Sequence, residues 1–326
     1  MSTDSPKSAA QDTPSRGPQR ILVAWRPDAP RTDSIEFAAW LARTADVQIR
    51  VVTTFLRPWP TTSLQKLGGK YRTWQEKQQR ACHKAVTRAL ERAQIDQKHW
   101  DKHVSVFVEG PSQHALLTQA AEDFDAHLVI LGSRAAAPKG RFLANSTADA
   151  LLHSSPKALG LAPRSVKLAK NGVKRVNFAY LGTEDTDRDP SLDYAAQMAQ
   201  AWGTPLRILS FSPSDIADVS LAGHFNLAKE LTHDWREHSL AMLDRARDWI
   251  ASRYPDLELE SEVGTGPGWA GAVDALKWKK GDLLCLGSHP LGPIERVSVG
   301  STATDFLPHV RMPVIIYQVP RKSAPT

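Results

Sequence analysis

Two stretches of this chain carry the same six-residue pattern at a fixed distance. LVILGS occupies residues 128–133 and LLCLGS residues 283–288, 155 positions later. NST at 145–147 returns as GST at 300–302, and RILVAW at 20–25 as RVNFAY at 175–180, both at that offset; EGPS at 109–112 is answered by TGPG at 265–268, one residue further on. The pairs keep their order, and chance matches would not hold so constant a spacing. The chain is two copies of one module joined near RSVKLAKNG at 164–172, so its fold must be one that half the chain can complete. A length of 326 residues suits two domains.

Each copy alternates strands with helices. The first opens with a strand at Ile21–Trp25 and a helix that sets Ile35, Ala38, Ala39 and Ala42 on one face; the second repeats that face as Leu192, Ala195, Ala196 and Ala199. These are the i, i+3, i+4, i+7 positions of an amphipathic helix, and the alanines let it lie close to a sheet. Second strands are expected at 47–55 and 205–211. Long helices follow over Tyr71–Gln94 and Glu230–Arg253, the latter with Leu231, Trp235, Met242 and Trp249 as its apolar stripe. Third strands fall at 103–109 and 257–263, fourth strands at 127–132 and 282–287, and fifth strands at 157–162 and 313–319. Such alternation implies parallel sheets with helices on both faces. The expected fold is α/β: two tandem, doubly wound, five-stranded Rossmann-like domains at 19–165 and 172–320, behind a disordered tail at 1–18. The ligand crevice of such a sheet lies beyond the carboxyl ends of its strands, where strand order reverses, and the loop after the fourth strand falls there.

Composition narrows the partners. The 41 basic and 35 acidic residues leave a formal charge of +6, spread without the dense Lys/Arg block of a nucleic-acid arm, so nucleic acid is not an expected partner. Cys82 on a helix and Cys285 in a buried strand make neither a disulfide framework nor a zinc spacing, and read as reduced, buried thiols. The first twenty residues are polar and lack the apolar core of a signal peptide. No apolar run approaches the roughly 20 residues of a membrane helix. A cytoplasmic protein away from membranes is expected.

The fourth-strand loops carry the chemistry. In the second copy Gly287, Pro290, Gly300 and Ser301 stand in the spacing G-x2-P-x9-G-S; in the first, Gly132, Ala135, Asn145 and Ser146 keep that spacing. Glycine permits positive φ and close backbone approach, so N–H groups can turn toward an anion, and a Ser/Thr opening the next helix adds hydroxyl donors beside its free N–H groups. The plainer reading is that Ser301 is a helix cap and Gly287 a strand end. Taken with ILVAW before the loop at Pro27, the pattern resembles G-x2-G-x9-G-[ST] of the ATP-binding branch of the universal stress protein family, over nearly the whole chain from Arg20 to Pro320. The resemblance implies the adenine nucleotide alpha hydrolase-like fold. It also implies ATP or a related nucleotide as ligand, with Mg left open, its phosphates over Gly287, His289, Gly292, Gly300, Ser301 and Thr302.

The departures matter. Family members that bind ATP usually carry an Asp at the end of the first strand, where this chain has Arg26 and Leu181. Arg26 is expected to pair with a carboxylate or face solvent. In the first loop Ala135 would resist a positive φ that Asn145 tolerates. Trp59 and Trp269 lie in loops at the crevice rim, where loop packing is preferred over base stacking. No Ser-His-Asp arrangement and no P-loop can be placed, and Asp282 sits at the wrong end of its strand for metal work, so catalysis beyond weak hydrolysis is not expected. Two functions remain: a nucleotide-binding stress protein with its site mainly in the second copy, or a tandem member that binds no nucleotide and acts as a scaffold for a protein partner. Because PVIIYQV offers an apolar edge, the copies are expected to pair through their fifth strands as an intrachain pseudo-dimer, with homodimerisation left open.

Overall fold

A computed structural model describes residues 17–57, 68–181, 188–213, 225–288 and 301–318. The first copy contributes β1 (Gln19–Ala24), α1 (Asp33–Ala42), β2 (Val47–Leu56), α2 (Gly69–Arg92), β3 (Trp100–Gly110), α3 (Gln113–Asp123), β4 (Leu128–Gly132), α4 (Ser146–Leu152) and β5 (Ala158–Ala162). The second contributes β6 (Arg175–Tyr180), α5 (Pro190–Ala201), β7 (Leu206–Pro213), α6 (Phe225–Arg253), β8 (Leu259–Gly266), α7 (Gly268–Asp274), β9 (Asp282–Ser288), α8 (Ser301–Phe306) and β10 (Val314–Gln318). Each copy is a parallel sheet of order 3-2-1-4-5, and the two join into ten strands ordered β3-β2-β1-β4-β5-β10-β9-β6-β7-β8. The join is antiparallel, pairing Val314 with Leu161, Ile315 with Gly160 and Ile316 with Leu159. Both apolar fifth strands are thereby central, and only β3 and β8 remain as edges.

The helix faces pack as alternation on a two-sided sheet requires. Ile35, Ala38, Ala39 and Leu192, Ala195, Ala196, Ala199 are all buried on one side, with Ile21, Val23, Val176 and Phe178 of the sheet beneath them. The neighbouring sheet residues Leu22, Leu131, Leu209 and Leu286 point the other way, toward Leu117, Leu151 and Phe306. Two details differ from the sequence reading. Third-strand pairing begins at Trp100 rather than His103, because Asp101 takes the Arg50 guanidinium at 2.8 and 2.9 Å and the His103 N–H at 2.8 Å, while the register slips between Ile49 and Val51. The buried stripe of α6 is Ser239, Met242, Leu243, Ala246 and Ile250, whereas Trp235 and Trp249 are only half-buried; the Leu231 side chain lies outside the described residues.

The linker is fastened to both copies. The Val173 N–H donates to Thr44 Oγ1 at 2.8 Å, and the Ala169 N–H to the Lys280 carbonyl at 2.9 Å. Arg141 of the first copy donates to the Pro308 carbonyl at 3.2 Å and to the His309 carbonyl.

Candidate functional site

Each copy places a crevice at its switch point, between the carboxyl ends of β1 and β4 and of β6 and β9. In the first, a cleft of ~280 Å³ is lined by Arg26, Arg31, Ser34, Gly132, Asn145 and Thr147 among others. Its polar groups are spent on one another. Arg26 donates to Asp28 at 2.9 Å, and that bond holds the Asp28 carboxyl below its usual range. Arg31 donates to Asp33 at 2.7 and 3.1 Å and to Ser165. Gln113 donates to Thr54 Oγ1 and accepts from Thr147 Oγ1, both at 2.8 Å, tying β2, α3 and α4 together. The Leu143 N–H donates to Ser133 Oγ at 3.0 Å and the Arg134 N–H to the Leu143 carbonyl at 2.9 Å, folding the loop onto itself.

Asn145 corrects the conformational argument. It sits at φ −92°, an extended N-cap whose side chain accepts from the Ala148 N–H at 2.8 Å. The loop's positive-φ residue is Gly140, which is not a signature position, and Ala135 has no positive φ to resist. Asn145 therefore does to the helix N-terminus what an anion would do, by satisfying one of its free N–H groups.

The second crevice is built differently. Asp189 caps α5, accepting from the Ser191 N–H at 2.7 Å. A β-carbon on Gly287 would stand 2.7 Å from Ser191 Oγ and 3.3 Å from Asp189 Oδ2, so this glycine lets the end of β9 press against the start of α5. In the first copy the equivalent Gly132 has 4.0 Å to Ser34, whose hydroxyl donates to the Ala24 carbonyl at 3.2 Å. Ser191 Oγ finds no such acceptor. Like Ser288 at the end of β9, and Ser212 farther off at the end of β7, it is a buried hydroxyl without a hydrogen-bond partner among the described residues; Ser191, Ser212 and Ser288 are 2, 0 and 2% exposed.

Of the sequence-predicted site residues, Gly287 is the penultimate residue of β9, Ser301 opens α8 and Thr302 is exposed in its first turn. His289, Gly292 and Gly300 lie outside the described residues, as does Trp59 of the first-copy rim. Leu181 packs against the core, and Trp269, expected in a loop, stands in the first turn of α7, edge-on to Phe211 and Phe306 at 6.4 and 5.6 Å, so its ring is spent on packing. Asp282 is buried at the amino end of β9, paired with Arg175 at 2.9 and 3.0 Å. Sequence reasoning missed Ser191, Ser212 and Ser288: the Gly-Ser step flags Ser288, but no motif flags the others. Among the described residues no three His, Cys, Asp or Glu side chains cluster to hold a metal, and no helix is long and apolar enough to cross a membrane.

Comparison with known proteins agrees with the duplicated architecture. The pattern of the Universal stress protein family matches residues 18–159 and again 172–318. Universal stress proteins of Mycobacterium bovis and Mycobacterium tuberculosis are each 27% identical over 303 residues, covering 91% of this chain and 98% of theirs. The crystal structure of a universal stress protein from Archaeoglobus fulgidus superimposes with a TM-score of 0.57 at 16% identity, covering 91% of this chain and 97% of that one, a likeness of fold. With both family matches falling on the two halves of the continuous sheet, this chain belongs to the universal stress protein family as a tandem, two-domain member.

Proposed function

We propose that the protein is a stress-response protein that binds ATP or a related nucleotide in the second-domain crevice. The observation that carries this reading is the pair of buried hydroxyls at Ser191 and Ser288, unpartnered among the described residues, whose first-copy counterparts Ser34 and Ser133 both line the first crevice. A buried hydroxyl left without a partner costs about 1–3 kcal/mol, a cost that a ligand supplying the partner removes. The spacing from Gly287 to Gly300-Ser301-Thr302 supports phosphate binding beside them. Leu181 offers no side-chain acceptor where related proteins carry Asp, so the nucleoside would be held by serine hydroxyls and backbone groups. The first crevice is the weaker candidate, because Asn145, Gln113 and Ser133 already satisfy its donors.

The alternative is a scaffold that binds no nucleotide, which the missing carboxylates at Arg26 and Leu181 favour. Mass spectrometry of small molecules released from the purified, denatured protein separates the two. A nucleotide at close to one per chain supports the proposal, and its absence from protein purified in millimolar ATP supports the scaffold.

A further inference from the structure

A second groove lies at the opposite, amino-terminal end of β9, where the two domains and the linker meet. It has a volume of ~550 Å³, in the range of small-molecule sites. Its walls carry Lys139 from the first domain, Lys167 from the linker, and Lys279, Lys280 and Arg311 from the second, against only two carboxylates, Asp274 and Asp282. Both carboxylates are taken. Asp274 pairs with Arg311 at 3.1 Å, and Asp282 with Arg175, outside the groove, while also accepting from the Lys279 N–H at 2.7 Å. The four lysines are exposed and have no carboxylate partner among the described residues.

The groove is held in shape by its backbone. Asp282 closes the Lys279–Asp282 turn, whose Lys280 carbonyl accepts from the linker Ala169 N–H at 2.9 Å. A β-carbon on Gly281 would stand 2.6 Å from Lys174 Cβ, so the turn lies directly against the chain just beyond the linker. The half-buried indole of Trp278 lines the same groove, its N–H donated to the Val273 carbonyl at 2.7 Å. Four ammonium groups around one groove repel one another, and each brings three donors that no acceptor among the described residues meets. A ligand with several negative oxygens relieves that repulsion at all four.

We propose that this interdomain groove binds a small anion carrying two or more phosphate groups, bridging the domains across the linker. The proposal is independent of the crevice reading. The test is calorimetric titration of the full chain with sodium tripolyphosphate, with four arms. Lys279→Glu/Lys280→Glu is expected to weaken binding by about tenfold or more, the loss of two charge-assisted contacts. Lys77→Glu/Lys84→Glu, the same charge change on the remote helix α2, is expected to leave affinity within about twofold at 0.15 M salt, where the screening length is near 8 Å. Gly300→Asp removes the phosphate site proposed at the second crevice, so the heat that remains in it is expected to be that of the groove alone. Should Lys279→Glu/Lys280→Glu melt early, Lys279→Gln/Lys280→Gln takes its place. No heat with wild type, equal losses in the two lysine pairs, or loss of all heat in Gly300→Asp overturns the proposal. So does binding to phosphatidylglycerol vesicles without binding to tripolyphosphate, which would make the patch a membrane contact.

Discussion

Replacing Ser191, Ser212 or Ser288 by alanine is expected to stabilise the folded protein, the reverse of the usual outcome for a buried substitution. Each hydroxyl is buried and unpartnered, so the folded state carries a desolvation penalty of about 1–3 kcal/mol that alanine removes. Against this stands the volume of one oxygen, on the order of 10–15 Å³, which at ~24 cal/mol per Å³ of cavity costs about 0.3 kcal/mol. A net gain of roughly 0.7–2.7 kcal/mol is expected at each site. Urea unfolding should show a higher midpoint at unchanged slope, and heating a rise of about 2–4 °C per kcal/mol for a domain of this size. Ser191→Ala and Ser288→Ala should also weaken ATP binding by roughly 0.5–1.5 kcal/mol each, one neutral hydrogen bond, and Ser212→Ala should not. Stability bought at the expense of affinity is the mark of a group kept for a ligand. Loss of more than about 1 kcal/mol of stability in Ser191→Ala would refute the reasoning, because the hydroxyl would then have a partner in the folded protein.

Asn145→Ala removes the cap on the Ala148 N–H and should cost about 1 kcal/mol, with Asn145→Asp retaining most of it; equal melting of all three proteins would contradict the cap. Asp282→Ala strips the buried partner from Arg175, of which Glu260 at 3.1 Å keeps a share, and should lower stability by on the order of 3 kcal/mol in denaturant titrations, where a loss under about 1 kcal/mol would argue against the pair. Burial, with Arg20 beside it, holds His127 below the ordinary histidine value of 6.5. The unfolded chain therefore binds a proton that the folded chain does not, from the depressed value up to 6.5. Stability contributed by this group should fall as pH drops through that window and level off beneath it. His309 shifts in the same sense, so His127→Asn should reduce the slope of urea midpoint against pH rather than abolish it, and a slope unchanged in the variant would discount His127.

The repeat offset made most of the fold legible, because a strand or helix face seen weakly in one copy is seen twice. The alanine faces of α1 and α5 and the apolar runs of β4 and β9 are local patterns with local causes. Where reading failed, the cause was long-range. The early start of β3 depends on Asp101 meeting Arg50 from the neighbouring strand, fifty-one residues away, and no window of sequence contains both. The half-burial of Trp235 and Trp249 is set by how far α6 rolls on the sheet, which favours the smaller Ala246 and Ser239 against it. At the site the glycine signature was visible but its physical role was misassigned. Gly287 serves a helix contact with Ser191 rather than a positive φ, and Asn145 is an extended cap. Ser191 meets the end of β9, where Ser288 sits, only through the packing of α5 on the sheet, so the lack of partners at this junction is invisible until the sheet is assembled.

The measurement that bears most directly on nucleotide binding in the second domain is calorimetric titration of ATP into wild type, Gly300→Asp, Ser301→Ala and Asn145→Asp. The account predicts binding by wild type, its loss in Gly300→Asp, where a β-carbon and a carboxylate would crowd and repel the phosphates, and its weakening by roughly 0.5–3 kcal/mol in Ser301→Ala. Asn145→Asp should bind as wild type does, since its loop belongs to the self-satisfied first crevice. No heat from wild type at millimolar ATP, or binding lost through Asn145→Asp and kept in Gly300→Asp, would contradict it.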